Sequence, residues 1–313
     1  MSDLSQWPDI PWEPWRETAA ALHRWLQIVG KYRLANTPWE NHSWTATLYV
    51  VPRGLTTGPI PVGGTVATLT FDVFDDRLLI ETARGETGGF DLGPMSVASF
   101  ADRVRDLAES VGLPFAIDGM PNEIPDAIAF AEDHAERPYD GEAVRRFHTA
   151  LVSIDRVFRR FRTGFLGKVS PSHLFWGSFD LAVTRFSGRR APLHKGGVPG
   201  LPDAVTREAY SHEVSSAGFW AGEGVGEPMF YSYAYPAPPG FAEQPVGPAG
   251  ARWDTPLGEF LLPYAAVRAS ADPEAALMQF LESSYVAAAE TGGWDRAALE
   301  CALGQAGVPR AVG

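Results

Sequence analysis

The strand-like segments of this chain are joined by links of only a few residues. A parallel crossover needs roughly a dozen or more. This constraint predicts an antiparallel sheet and an α+β fold rather than a doubly wound α/β fold. Segments 65–73 and 77–82 read as a hairpin across Phe74-Asp75-Asp76. Further strands are predicted at 43–52, 113–117, 173–185, 207–217 and 228–235. Segments 53–64 and 236–248 read as Gly/Pro loops, and 121–140 as an irregular connector.

Helices are predicted at about 15–34, 96–111, 141–162, 273–291 and 295–303. The third carries Val144, Phe147, Leu151, Ile154, Val157, Phe158 and Phe161 as one apolar stripe. Asp272-Pro273-Glu274 opens the fourth. A Pro-punctuated lead, Trp7 to Trp15, reads as an extended strap whose indoles dock on the core. The same order recurs in residues 1–140 and 141–313, which suggests an internal duplication of an α-β-β-β-α unit. Leu22-His23 matches Phe147-His148, Trp44 matches Trp176, and Arg53 matches Arg185. The two halves are expected to share one sheet, with helices packed on one face, in one compact unit.

Composition narrows the function. The 313 residues are 45% hydrophobic and 20% charged, enough apolar surface for a sizeable core and too much for a disordered chain. No run approaches a membrane span, and the N-terminus, with Asp3, Asp9, Glu13 and Glu17, lacks the pattern of a secretory signal. Cys301 is the sole cysteine and reads as a small buried apolar residue in a reducing compartment, so a cytoplasmic location is expected. A net charge of −12 argues against nucleic acid as a partner, and no membrane partner is expected. Residues 145–195 nonetheless hold eleven Lys/Arg and only Asp155 and Asp180 as acids. Such a band reads either as a solvated face or as the lining of a site for an anionic small molecule.

No P-loop, dinucleotide fingerprint, HExxH, GxSxG or EF-hand pattern is present, so no nucleotide-binding motif is available. The densest stretch is Ser170 to Arg185. Alternation turns Phe175, Phe179 and Val183 to a face suited to burial under helices. Trp176, Ser178, Asp180 and Thr184 fall on the other, which is too polar for a plain core and too aromatic for plain solvent. Tyr231, Tyr233 and Tyr235 form a second mixed face, either a packed tyrosine stripe or a pocket wall. Arg185, followed by Arg189, is the candidate holder of a ligand carboxylate or phosphate. His212 is a candidate general base or metal ligand, although its neighbour Glu213 points to the opposite face. His42, His173 and His212 become ligands for a divalent metal if they converge with Asp72, Asp180 or Glu259. Each lone histidine also has a plain structural reading, a hydrogen-bonded core residue.

Several runs carry a family resemblance: Leu22-His23, Arg53-Gly-Leu-Thr-Thr-Gly58, Phe175-Trp-Gly-Ser-Phe-Asp180, Arg185-Phe-Ser-Gly-Arg-Arg190, Tyr210-Ser-His-Glu-Val214 and Leu257-Gly-Glu-Phe-Leu-Leu-Pro263. On these the chain resembles an uncharacterised bacterial family, classed as a domain of unknown function, of proteins near this length. The resemblance implies no activity and transfers no catalytic residue.

Three readings follow. The first is a small-molecule enzyme on an anionic substrate, by acid–base or metal-assisted chemistry, with His212 and Asp180 as catalytic groups. In it Arg185 and Arg189 hold the anion, and Trp176, Tyr231 and Tyr233 form the walls. The second is a non-catalytic small-molecule binder or sensor, and the third a protein-interaction module. The sequence leaves the oligomeric state open.

Overall fold

The computed structural model describes residues 6–310; Asp3 therefore lies outside the described residues. The first helix, α1 (Trp12–Asn36), starts earlier than expected, because Pro14 falls in its first turn, where a missing N–H costs nothing. The Trp7 strap is correspondingly shorter. Its carbonyls are held by one short helix, residues 264–268: Tyr264 Oη donates to Pro8 O at 2.9 Å, and Arg268 Nε to Trp7 O at 3.1 Å.

Six strands follow: β1 (Thr47–Val51), β2 (Gly54–Thr56), β3 (Ile60–Val62), β4 (Thr65–Asp72), β5 (Arg77–Thr82) and β6 (Thr87–Asp91). The second and third occupy the expected Gly/Pro loop, and the sixth was not expected. Residues 113–117, predicted as a strand, form none, although Leu113 is buried. Helix α2 (Val97–Ser110) is capped by Ser96, whose hydroxyl accepts from Ser99 N at 3.1 Å.

The second half opens with α3 (Gly141–Arg162), at the predicted bounds and capped by Asp140. Then come β7 (His173–Phe175), β8 (Asp180–Arg190), α4 (Asp203–Ala209), β9 (His212–Trp220), β10 (Met229–Tyr235), β11 (Arg252–Asp254) and β12 (Glu259–Pro263). The short α5 (Tyr264–Arg268), the long α6 (Pro273–Thr291) and α7 (Arg296–Leu299) finish the chain. Residues 207–209, expected in a strand, instead complete a helix.

All ladders are antiparallel, as the short links require. The twelve strands form one sheet in the order β11-β12-β10-β9-β8-β7-β1-β2-β4-β5-β6, with β3 on β4. Pairing of Thr47 with Phe175 and Leu48 with Leu174 carries the sheet across the boundary between the halves. One contiguous core likewise contains Trp25, Phe71 and Phe100 from the first half and Phe158, Phe219 and Phe280 from the second. The matched pair Arg53 and Arg185 does not share surroundings. Arg53 is half exposed and pairs with Asp72 and Asp75, whereas Arg185 is buried.

Strand parity separates two faces of the second-half sheet. Leu181, Val183, Ala217, Phe219 and Phe230 join the core that includes α3 and α6. Arg185 has the same parity as Val183 and belongs to that face. Its guanidinium carbon lies 3.4 Å from the Phe161 ring centroid and 4.4 Å from that of Tyr285. Its Nη2 donates to Phe161 O at 2.6 Å and reaches Glu282 Oε1 at 3.3 Å. This arginine ties α3 and α6 to the sheet. Arg185→Ala leaves Glu282 and the Phe161 carbonyl without it, and is expected to lower the unfolding free energy by about 3 kcal/mol in a urea titration. An unchanged midpoint would deny the tie.

Candidate functional site

The opposite parity of the same strands builds a cavity of about 480 Å³. Its floor consists of three rows across the sheet. Asp180 pairs with Trp220; Ala182, Gly218 and Tyr231 are in register; so are Thr184, Ser216 and Tyr233. Glu259 stands at the start of β12, one residue beyond the Phe260–Ser232 pair. The roof comes from the C-terminal half of α1 (Lys31, Leu34), the 39–46 segment, the connector residues Asp118 to Glu123, and α4 with the residues before it. The walls are chiefly aromatic: Trp44, Phe175, Trp176, Phe186 and Tyr210.

Glycines let three lining groups sit against backbone. A Cβ at Gly30 would overlap the Trp176 indole, one at Gly177 the Glu123 carboxyl, and one at Gly218 the Tyr231 phenol. Left-handed backbone at residues other than glycine costs energy and gathers at functional sites. Of six such residues among those described, His42, Ser43 and Glu123 line the cavity. A fourth, Phe179, sits in the turn between Ser178 and Asp180.

Three carboxyl groups meet here. Asp180 is buried, accepting from Ser178 Oγ at 2.6 Å and from the Tyr231 hydroxyl. Burial pushes its pKa up, and the two donors oppose that rise. Burial, reinforced by the charge of Asp180, pushes Glu123 up to about 7 and Glu259 up to about 8. Each Asp180 oxygen accepts one side-chain hydrogen bond. Glu259 Oε2, by contrast, is buried with no hydrogen-bond partner among the described residues. The hydroxyls of Tyr210 and Tyr233 are 2.9 Å apart, and those of Thr184 and Ser216 2.8 Å apart, so the rest of the polar floor is internally paired.

Among the described residues Lys31 is the sole lysine or arginine in the lining, and it is already engaged. Its ammonium donates to Asn122 Oδ1 at 2.6 Å and Asp118 Oδ2 at 3.1 Å, and lies 5.5 Å from the Trp176 ring centroid. Burial lowers its pKa.

Of the residues singled out from sequence, Trp176, Ser178, Asp180, Thr184, Tyr231, Tyr233, His42 and Glu259 line this cavity. Arg185 faces the helices. Arg189 pairs with Glu213 at 2.7 Å and donates to the carbonyls of Gly292 and Gly293 at the end of α6. Neither arginine is brought to the cavity. His212 stands behind the wall, its ring 5.9 Å from that of His42, with Ser211 Oγ 3.1 Å from its Nδ1. His42 Nδ1 is 2.8 Å from Ala209 O, and burial lowers its pKa. His173 is sealed in the sheet beyond Trp44, its pKa lowered to about 3 by burial and by Arg33 and Arg162. Asp72 lies in the first-half sheet, bound to Arg53 at 2.5 Å. The expected convergence of His42, His173 and His212 with a carboxylate is therefore corrected: among the described residues no three His, Cys, Asp or Glu side chains are placed to hold a metal ion.

Glu123 and Lys31 were not singled out from sequence. Glu123 is in the aperiodic connector, and Lys31 looks like an ordinary helix residue. A carboxyl with left-handed backbone beside a glycine on another element is a signal that only three dimensions give.

A model for a family of unknown function, DUF5996, matches residues 7–301. The chain belongs to that family. No curated protein and no solved structure matches the chain. In this DUF5996 member the match spans every element that builds the cavity, from α1 to β12.

The raised carboxyls couple stability to pH. An unfolded glutamate titrates near about 4.3. Folded Glu123 and Glu259 keep their protons up to about 7 and about 8. Their contribution is complete below the unfolded value and is lost as pH rises through the folded ones. The melting temperature is expected to fall between about pH 5 and pH 8.5, and Glu259→Gln to flatten that fall. An unaltered slope in the variant would refute the assignment.

Proposed function

We propose that this protein is an enzyme that transfers protons to and from a small molecule enclosed in the cavity. The observation that carries the reading is Glu259: a carboxyl in the lining of a cavity of ligand size, one buried oxygen without a hydrogen-bond partner, its proton held near neutrality beside Asp180. General acid–base catalysis works best when the group's pKa lies near the working pH. Burial and a neighbouring like charge are the usual means of bringing a carboxyl there. Asp180, fixed by Ser178 and Tyr231, is the orienting group that raises its neighbours. Glu259 is the proton donor or acceptor, with Glu123 as its counterpart on the roof. Trp176, Tyr231 and Tyr233 supply apolar wall and hydroxyl. The arginines expected to hold an anionic substrate are engaged elsewhere, so the reading does not use them.

A test needs no prior substrate. The purified protein is incubated with a metabolite extract, and loss and gain of compounds are followed by mass spectrometry. Wild type is expected to convert at least one compound. Glu259→Gln is expected to slow that conversion by about a hundredfold or more while the protein stays folded by circular dichroism. Retention of a compound without conversion by either form would assign the cavity to binding alone. Full activity in Glu259→Gln would remove the proton-transfer role.

A further inference from the structure

The class of molecule that fits the cavity follows from its charges. Four acids line it: Asp118, Glu123, Asp180 and Glu259. Lys31 neutralises Asp118. His23, which lies behind the Trp176–Gly177 backbone, faces Glu223 at 2.8 Å through Nδ1 and the carbonyls of Trp176 and Gly177 through Nε2. Glu123, Asp180 and Glu259 are left with no lysine or arginine of their own in the lining. Unpaired carboxylates in an apolar enclosure are costly, and a partner charge that enters with the ligand offsets part of that cost. The walls offer the complementary surface, since indole and phenol faces attract cations. Trp176 already shows this attraction, with the Lys31 ammonium over its ring.

We infer that the cavity binds a small organic cation, an amine or quaternary ammonium with an apolar or aromatic body, its charge held between the Glu259–Asp180–Glu123 carboxyls and the surrounding aromatic faces. This rests on the same site as the proton-transfer reading. It adds the ligand's sign and body. An anion of equal size meets three carboxyls and no arginine. A neutral molecule fills the volume and leaves the carboxyls as they were. A cation stabilises their ionised forms, so its binding releases protons and tightens as pH rises.

The test uses three probes of similar shape against the full chain by titration calorimetry: benzyltrimethylammonium, benzyl alcohol and benzoate. The ammonium is expected to bind roughly tenfold or more tighter than the alcohol, with benzoate weakest. Its affinity is expected to rise between about pH 6 and pH 8.5, with proton release visible as a dependence of the heat on the buffer. Glu259→Gln and Glu123→Gln are each expected to lose about tenfold for the ammonium and little for the alcohol. Benzoate binding as tightly as the ammonium overturns the inference, and so does ammonium binding that ignores both pH and the two variants. The metabolite assay separates the two ideas. Conversion lost in Glu259→Gln together with no preference for cations removes the ligand class and leaves proton transfer. Cation preference with no conversion by wild type does the reverse.

Discussion

A carboxyl group on the face of a β-sheet, roofed over and without a cation, is the constraint around which this half of the molecule is arranged. Asp180 is tolerated because Ser178 and Tyr231 both donate to it. Buried acceptors require such donors. Tyr231 can reach it because Gly218, its cross-strand partner, has no side chain. Burial, with Asp180 alongside, then holds protons on Glu123 and Glu259 that water would remove. The chemistry of the cavity is thus set by the sheet, and the loops complete it.

The roof is a different kind of structure. It is assembled from the end of α1, a left-handed His42-Ser43 pair, the 118–123 connector and α4. Asn122 joins two of these pieces, donating to Gly200 O at 2.9 Å and accepting from Lys31. Gln27 accepts from Asn122 N at 2.7 Å. Buried polar side chains of α1 therefore fix the connector that carries Glu123. The left-handed backbone at His42, Ser43 and Glu123 persists only because its surroundings over-determine it.

Much of this was legible in the sequence wherever periodicity speaks. The stripe of α3 and the Asp-Pro entry of α6 placed both helices at their observed bounds. Alternation put Trp176, Ser178, Asp180 and Thr184 on one face and gathered Tyr231 and Tyr233, all of which line the cavity, but it turned Phe175 to the helices, whereas the turn at 176–179 breaks the alternation and Phe175 lines the cavity too. The same parity assigns Arg185 to the helix face with Val183, and reading it as a ligand holder set aside that rule in favour of its charge. Short strands among Gly and Pro, such as β2 and β3, escaped because three residues cannot show a period. Glu123 escaped because its position depends on contacts between segments far apart in sequence, which no local pattern encodes. The three histidines illustrate the converse: grouping them by residue type did not bring all three together, since His42 and His212 are neighbours while Trp44 stands between His42 and His173.

Two glutamates, Glu123 and Glu259, hold protons near neutrality in the cavity lining. Carbon-13 labelling of glutamate side chains, followed by NMR across pH, reads their titration directly. Two resonances, assigned through Glu123→Gln and Glu259→Gln, are expected to titrate near about 7 and about 8, well above the rest. Titration of both in the ordinary acidic range near about 4.3 would contradict the account.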